Sequence, residues 1–167
     1  MKTKNLIMLL FLSFAIVGCS DDFLDVNQNP NSPPISTPRL TLPVAQQNFA
    51  ALNGTSMVFL GQYMAYNWTT PSNWSANQSL IQYDITSNFY TNIFETSYSS
   101  IFRDLTYVEN YEDPTGAVDY SAYDVIAETI KGFQYQYLVD LYGDVPYTDA
   151  NLRSGNTTPK YDDAETI

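Results

Sequence analysis

The sequence contains no histidine and only one cysteine. The absence of histidine excludes the Ser-His-Asp and Cys-His relays of many hydrolases, and every metal site built on imidazole. A single cysteine excludes disulfide scaffolds and zinc sites built from several thiolates. The chain also lacks a glycine-rich phosphate loop and a G-x-S-x-G nucleophile motif. Any catalysis by this chain would therefore depend on its carboxylates.

Basic residues are scarce: 7 Lys and Arg stand against 18 Asp and Glu, which gives a net charge of −11. Such an acidic chain is repelled by the phosphate backbone, and this excludes nucleic acid as a partner. The same charge disfavours docking on an anionic lipid surface through electrostatics alone. If the chain associates with a membrane, another device must hold it there.

Aromatic residues are abundant, with 14 Tyr, 9 Phe and 2 Trp among 167 residues. Charged residues make up only 15% of the chain, whereas about a quarter is usual. Because there is ample apolar material for a core, the composition is not that of a disordered protein. The length allows one domain, or part of a larger one.

The N-terminus reads as a targeting signal. Lys2 and Lys4 precede an apolar run over residues 6–17, which is too short to span a membrane as a helix. The run ends in Ile-Val-Gly followed by Cys19, which resembles the lipobox of bacterial lipoproteins. We therefore predict a signal peptide over residues 1–18 and a lipid anchor on Cys19. An ordinary secretory signal with a chance cysteine is the alternative.

Residues 19–40 are predicted to form a lipidated N-terminal tether and the entry loop that precedes the helical domain. Asp21 and Asp22, directly after the cysteine, resemble the surface-export signal of Bacteroidetes lipoproteins and indicate an outward-facing protein. Asp25 opens a stretch similar to the start of a calcium loop, but Pro30 occupies the position where such loops need glycine. Asx-turns are the better interpretation, and no metal is predicted.

Helical periodicity begins at Thr41, where apolar residues step by three and four at Leu42, Ala45, Phe49 and Leu52. Asn53 and Gly54 are typical of a helix end. A second apolar series follows at Met57, Leu60, Gly61 and Met64. The pattern leaves open whether these are two helices or one kinked helix.

Two longer helices are predicted in the second half of the chain. The first covers residues 84–110, with an apolar face at Phe94, Tyr98, Ile101, Phe102, Leu105 and Val108. After a turn at 112–116, Asp119 or Ser121 caps another helix that ends before Gly143. Its predicted buried stripe is Val125, Ile126, Ile130, Phe133, Tyr137, Leu138 and Leu141. The sequence thus predicts an all-α fold with a helical hairpin whose spacing resembles one helical repeat unit.

Residues 66–83 have no helical period and no charged side chain, yet they contain both tryptophans. Flat aromatic faces bind the C–H surfaces of sugars, while amides bind their hydroxyl groups. We therefore predict a glycan-binding loop whose ligand-binding residues are Tyr66, Trp68, Asn73, Trp74 and Asn77. The alternative is that both tryptophans pack into the core, because Trp is usually buried.

The carboxylates do not form a recognisable catalytic pair. Glycosidases need two carboxyl groups about 5–9.5 Å apart across a cleft. The adjacent pairs at Glu112 with Asp113 and at Asp162 with Asp163 lie on predicted turns, where such a separation is rare. No catalytic residue and no cofactor is predicted, and the chain is interpreted as a protein without enzymatic activity.

Residues 141–146 read Leu-Tyr-Gly-Asp-Val-Pro, and residues 127–150 around them resemble the signature of the SusD/RagB family of outer-membrane lipoproteins. Residues 19–33 are similar to the mature N-terminus of that family, and closest to its SusD-like, starch-binding branch. Members are typically several times longer, and the resemblance implies an α-superhelix built from tetratricopeptide-like helical hairpins with irregular loops. The resemblance therefore implies that residues 41–167 are the N-terminal part of a SusD-like helical domain, with much of the ligand-binding lobe lying elsewhere.

The resemblance also implies a function. SusD-like proteins act as lids on TonB-dependent, SusC-like porins, capturing an oligosaccharide or other nutrient and delivering it inward. The expected partners are therefore such a porin, the nutrient, and the outer membrane through the lipid anchor. A helical-repeat scaffold lipoprotein that binds a protein and no free glycan is the alternative.

Overall fold

The first long helix begins where proline is best tolerated. The computed structural model describes residues 35–71, 73, 76–152 and 155–167, and nearly all of these belong to one unit, Thr37–Ile167. Helix α1 covers Pro38–Leu52 and starts at Pro38 rather than at Thr41. Proline suits the first helical position, because its missing N–H would have no partner there. The predicted apolar series is confirmed, since Leu42, Ala45 and Leu52 are buried.

Of the two possibilities that the pattern leaves open, the structure has the continuous one: α-helical geometry ends at Leu52, as predicted, but the chain remains helical beyond it. The chain continues through a π-helical segment, Asn53–Met57, into helix α2, Val58–Met64. The Asn53 side chain donates to the Phe49 carbonyl at 2.8 Å and to Gln134 Oε1 at 3.0 Å. Asn53 therefore contributes its side chain to packing inside the helix instead of capping its end.

The helix predicted over residues 84–110 begins later than predicted, at Thr91. After the four-residue helix α3, Gln78–Ile81, residues 84–90 are turns, and helix α4 covers Thr91–Thr96. A π-helical segment, Ser97–Phe102, connects α4 to helix α5, Arg103–Glu109. The predicted apolar face is confirmed, with Phe94 and Tyr98 partly buried and the other members fully buried: Ile101, Phe102, Leu105 and Val108.

Helix α6, Ser121–Tyr142, buries a different face from the one predicted. The side chains in its core are Ala127, Gln134, Tyr135 and Leu138. Of the predicted stripe, only Leu138 is fully buried, whereas Val125, Ile126, Phe133 and Leu141 are exposed. Apolar residues occupy both faces of this helix, so periodicity alone does not identify the face that meets α1 and α5.

Helices α1, α5 and α6 pack against one another, and α2 packs against α3. Phe102 stacks on Tyr135 with ring centroids 4.0 Å apart and planes 10° apart. Within the described ranges no β-strand is present, and a single bridge pairs Val145 with Asp162. The predicted all-α fold is confirmed, while the tetratricopeptide-like geometry remains a prediction.

A series of hydrogen bonds between buried and half-buried polar side chains connects α6 to the two π-helical segments. Gln134 is fully buried; it donates to Ser97 Oγ at 2.7 Å and accepts from Asn53 Nδ2 at 3.0 Å. Ser97 Oγ in turn donates to the Ile93 carbonyl at 2.6 Å. Asn53 and Ser97 are the first residues of the two π-helical segments. Through these hydrogen bonds to Asn53 and Ser97, Gln134 links the two π-helical segments inside the core.

Replacing Gln134 by alanine is expected to lower the free energy of unfolding by about 2–3 kcal/mol. The variant leaves polar groups of Asn53 and Ser97 with fewer partners and opens a cavity among three helices. Chemical denaturation followed by circular dichroism measures the change. Gln136→Ala is the matched control, because Gln136 is exposed two residues further along the same helix. An equal loss in both variants would contradict the role of Gln134.

Candidate functional site

The predicted glycan-binding loop leaves helix α2 through a strained residue. The Asn67 N–H bonds to the Gln62 carbonyl at 2.9 Å and the Tyr66 N–H to the Tyr63 carbonyl at 3.0 Å, which is the Schellman pattern of a helix end. Glycine usually occupies the left-handed position of this motif, but here it is Tyr66, with φ 55°. A bulky residue in this region is uncommon, and strain of this kind is concentrated at functional sites. The phenol of Tyr66 is therefore a candidate for a specific role.

Trp68 turns back onto helix α2. Its ring meets Phe59 edge to face at 5.2 Å and Tyr63 at 6.0 Å, while 41% of the residue stays exposed. Tyr63 is buried beneath this pair. Trp68 is thus held by aromatic contacts and still presents surface to solvent. The packing alternative is realised in part through these ring contacts, while ligand contact by Trp68 stays a prediction.

Two tyrosines close the loop reciprocally. Tyr66 donates its hydroxyl to the Ile81 carbonyl at 2.9 Å, and Tyr83 donates to the Met64 carbonyl at 2.7 Å. Their ring centroids lie 5.4 Å apart. Both hydroxyls are thereby engaged with backbone, while both residues stay exposed. We define the aromatic patch as the four exposed rings at the two ends of this loop: Phe59, Tyr66, Trp68 and Tyr83.

The remaining predicted ligand residues are placed differently. Asn77 has φ 56°, and its amide donates to the Tyr63 hydroxyl at 3.0 Å, so it supports the floor of the loop. Asn73 is exposed in a turn. Trp74 and the predicted anchor Cys19 lie outside the described residues. Three of the predicted residues therefore lie next to the C-terminal end of α2: Tyr66, Trp68 and Asn77.

The surroundings of the aromatic patch are uncharged. Residues 40–83 contain no Asp, Glu, Lys or Arg, although the chain carries a net charge of −11. Desolvation, followed by the neighbouring Tyr66 phenol, raises the pKa of Tyr83 above its ordinary value. The phenol of Tyr83 is therefore neutral at physiological pH, and the patch presents rings and amides without formal charge.

Phe59 and Tyr83 are members of the patch that sequence reasoning missed. Phe59 lies on helix α2, where helical spacing makes an aromatic residue look like core, and Tyr83 is one of many tyrosines in the second half of the chain, most of which have the spacing of helix packing. A usable signal for Tyr83 is its place at the end of a segment without helical period. For Phe59 the sequence offers no signal, because its exposure depends on where the loop returns.

The turn at residues 141–146 has a packing role. Val145 and Pro146 are buried, and the Pro146 carbonyl accepts the Tyr98 hydroxyl at 2.6 Å. Asp144 accepts from the Ala164 N–H at 3.1 Å, so this carboxylate bonds to the backbone of the following segment. Asp162 accepts the N–H groups of Tyr147 and Thr148. The Thr148 bond is the largest cause of the lowered pKa of Asp162.

The described helices and acidic side chains show no feature typical of a membrane span or a metal site. In the described part of the chain, no helix combines the length and hydropathy needed to cross a bilayer. Among those same residues, Asp, Glu and Cys side chains form no group of three placed to hold a metal ion. The site is therefore characterised by its aromatic rings and amides.

These features define a class of protein, namely a helical binding protein that presents aromatic rings and amides on a surface loop. More particularly, residues 30–167 match the family model SusD-like, described as starch-binding and associating with the outer membrane. The chain belongs to this SusD-like family, whose members are binding proteins rather than enzymes. The predicted family resemblance is confirmed. No curated protein matches the chain.

Proposed function

We propose that this protein is a lipid-anchored, non-enzymatic glycan receptor on the outer face of the outer membrane. It captures an oligosaccharide and delivers it to a TonB-dependent, SusC-like porin. The observation that carries the proposal is the aromatic patch, an uncharged group of exposed rings in a chain whose family is described as starch-binding. Residues 1–18 serve as the signal peptide, and residues 19–37, which precede helix α1, tether the helical domain to lipid on Cys19.

The chemistry of the loop suits a neutral sugar. Exposed rings offer apolar faces for sugar C–H groups, and amides exchange hydrogen bonds with hydroxyls. We assign ligand contact to Tyr66, Trp68, Asn73, Trp74 and Asn77, and we add the rings of Phe59 and Tyr83. Residues 40–83 carry no charged side chain, although Asp84 directly follows Tyr83, so the loop itself offers rings and amides rather than charges to a ligand.

Replacing Trp68 by alanine is expected to weaken binding of maltoheptaose at least tenfold, which corresponds to about 1.4 kcal/mol. The variant removes an exposed ring and the edge-to-face contact that orients Phe59. Isothermal titration calorimetry with the full chain measures the change. Tyr161→Ala removes an exposed ring outside the patch, 63% exposed against 41% for Trp68, and serves as the control. Unchanged affinity in Trp68→Ala, with binding intact in the wild type, would refute the patch as the binding surface.

The scaffold alternative is favoured by one observation, the exposed apolar face of helix α6. Val125, Phe133 and Leu141 lie on it, and such faces are typical of protein contacts. A scaffold would give no heat with a broad panel of oligosaccharides but would co-purify with a porin. Heat with several sugars that Trp68→Ala abolishes favours the glycan receptor.

A further inference from the structure

A cavity of about 790 Å³ lies apart from the aromatic patch. Its walls come from the C-terminal part of α5, one face of α6, and the segments that follow the turn at residues 141–146. The lining is mainly polar and includes Thr106, Glu109, Glu128, Lys131, Gln136 and Thr148. Cavities that bind small molecules in proteins have volumes of about 300–1,000 Å³, so the size is suitable for a ligand.

An ion pair in the wall of this cavity has one unsatisfied atom. Lys131 Nζ donates to Glu109 Oε2 at 2.6 Å, and both side chains are about four-fifths buried. The other carboxylate oxygen, Glu109 Oε1, is buried and accepts no hydrogen bond. Buried acceptors in native proteins are almost always paired. Because this oxygen has almost no accessible surface, the ion pair is part of the closed wall, and it holds Lys131 at the lining of the cavity.

Gly132 of helix α6 has no side chain and exposes the helix backbone to the same cavity. It lies in the middle of helix α6, where glycine is less favourable than alanine by about 1 kcal/mol. A Cβ at this position would meet no atom within 4 Å, so packing within the described chain does not require glycine. The absence of a side chain here instead keeps the cavity open.

We propose that this cavity is a second saccharide site, holding one or two neutral sugar rings. The lining presents hydrogen-bond donors and acceptors side by side, among them Lys131, Glu128 and Thr148, and sugar hydroxyls can both donate and accept. Glu109 and Glu128 disfavour anions, and Lys131 disfavours cations. The half-exposed ring of Tyr147 supplies a face for sugar C–H groups. The site is additional to the aromatic patch on which the proposed function depends.

The test is a titration of the full chain with maltose, observed in ¹H–¹⁵N NMR spectra. The amide signals of Lys131, Thr148 and Asn151 are expected to shift in the wild type. In Gly132→Leu the dissociation constant from these signals should rise at least tenfold, because the added side chain fills the cavity without meeting a neighbour. Gly54→Leu is the matched control, since Gly54 is also an exposed helical glycine with open space around it, and it does not line the cavity.

Two further variants separate the possible outcomes. Lys131→Met keeps the cavity open but removes the charged donor, and it should weaken the same shifts while the spectrum stays folded. Trp68→Ala should leave the cavity shifts intact and remove those near residue 68, so failure of the aromatic patch and failure of the cavity give different spectra. Unmoved cavity signals in the wild type, or equal shifts in Gly132→Leu, overturn the proposal.

Discussion

Cys19→Ala is expected to move the protein from the membrane fraction to the soluble fraction. Each buried methylene of an acyl chain contributes about 0.8 kcal/mol, so two or three chains on one cysteine hold a protein nearly irreversibly. The described helices offer no other means of spanning a bilayer, and the net charge of −11 gives no attraction to anionic lipid. Ultracentrifugation of cell lysates, followed by immunoblotting of pellet and supernatant, measures the shift.

Ser20→Ala is the control for this prediction, because it alters the adjacent residue without removing the thiol. It should sediment with membranes as the wild type does. If Cys19→Ala also stays in the pellet, and remains there after a high-salt wash, the lipid anchor is refuted. Metabolic labelling with a palmitate analogue gives an independent readout, since only chains that retain Cys19 should incorporate it.

Phe102→Ala is expected to lower the free energy of unfolding by about 3–5 kcal/mol. Phe102 is fully buried at the end of the second π-helical segment and is the largest such side chain in the core. Its ring stacks on Tyr135 of α6 and meets Tyr98 of its own segment edge to face at 5.2 Å, so the substitution removes one contact to another helix and one within the segment. Denaturant titration followed by tyrosine fluorescence measures the loss.

Phe133→Ala supplies the comparison, because the same side chain is removed from a position that is 58% exposed. We expect a change within about 0.5 kcal/mol, as is usual at the surface. If the two variants lose stability equally, the described face of α6 is not the one that meets the core. This pair of variants therefore also tests the corrected orientation of the helix.

The helices could be predicted from sequence with different success, and the difference has a physical cause. In the helix predicted over residues 84–110, one face is apolar and the other is polar. The periodicity therefore correctly predicts that Phe102, Leu105 and Val108 are buried. In α6 both faces carry large apolar residues, and the buried face contains Gln134, which a hydrophobic pattern counts as outward. Only the positions of Asn53 and Ser97 on other helices explain why a glutamine lies inside.

The candidate site could be predicted only in part. The absence of charge and of helical period marked the loop that contains Trp68, because both properties are local. The contacts of its side chains are not local: the carbonyls that engage Tyr66 and Tyr83 belong to the opposite end of the loop. The polar cavity was missed for the same reason, since Glu109 and Lys131 lie on different helices and pair only after these pack.

The reciprocal tyrosine bonds of the loop also affect the thermodynamics of capture. Each end of the segment is fastened to a carbonyl of the other, so the two ends are already held next to each other before a ligand arrives. A receptor that is rigid in advance loses little conformational entropy on association. Its affinity should then change little when the loop is stiffened further, and should fall when either phenol is replaced by phenylalanine.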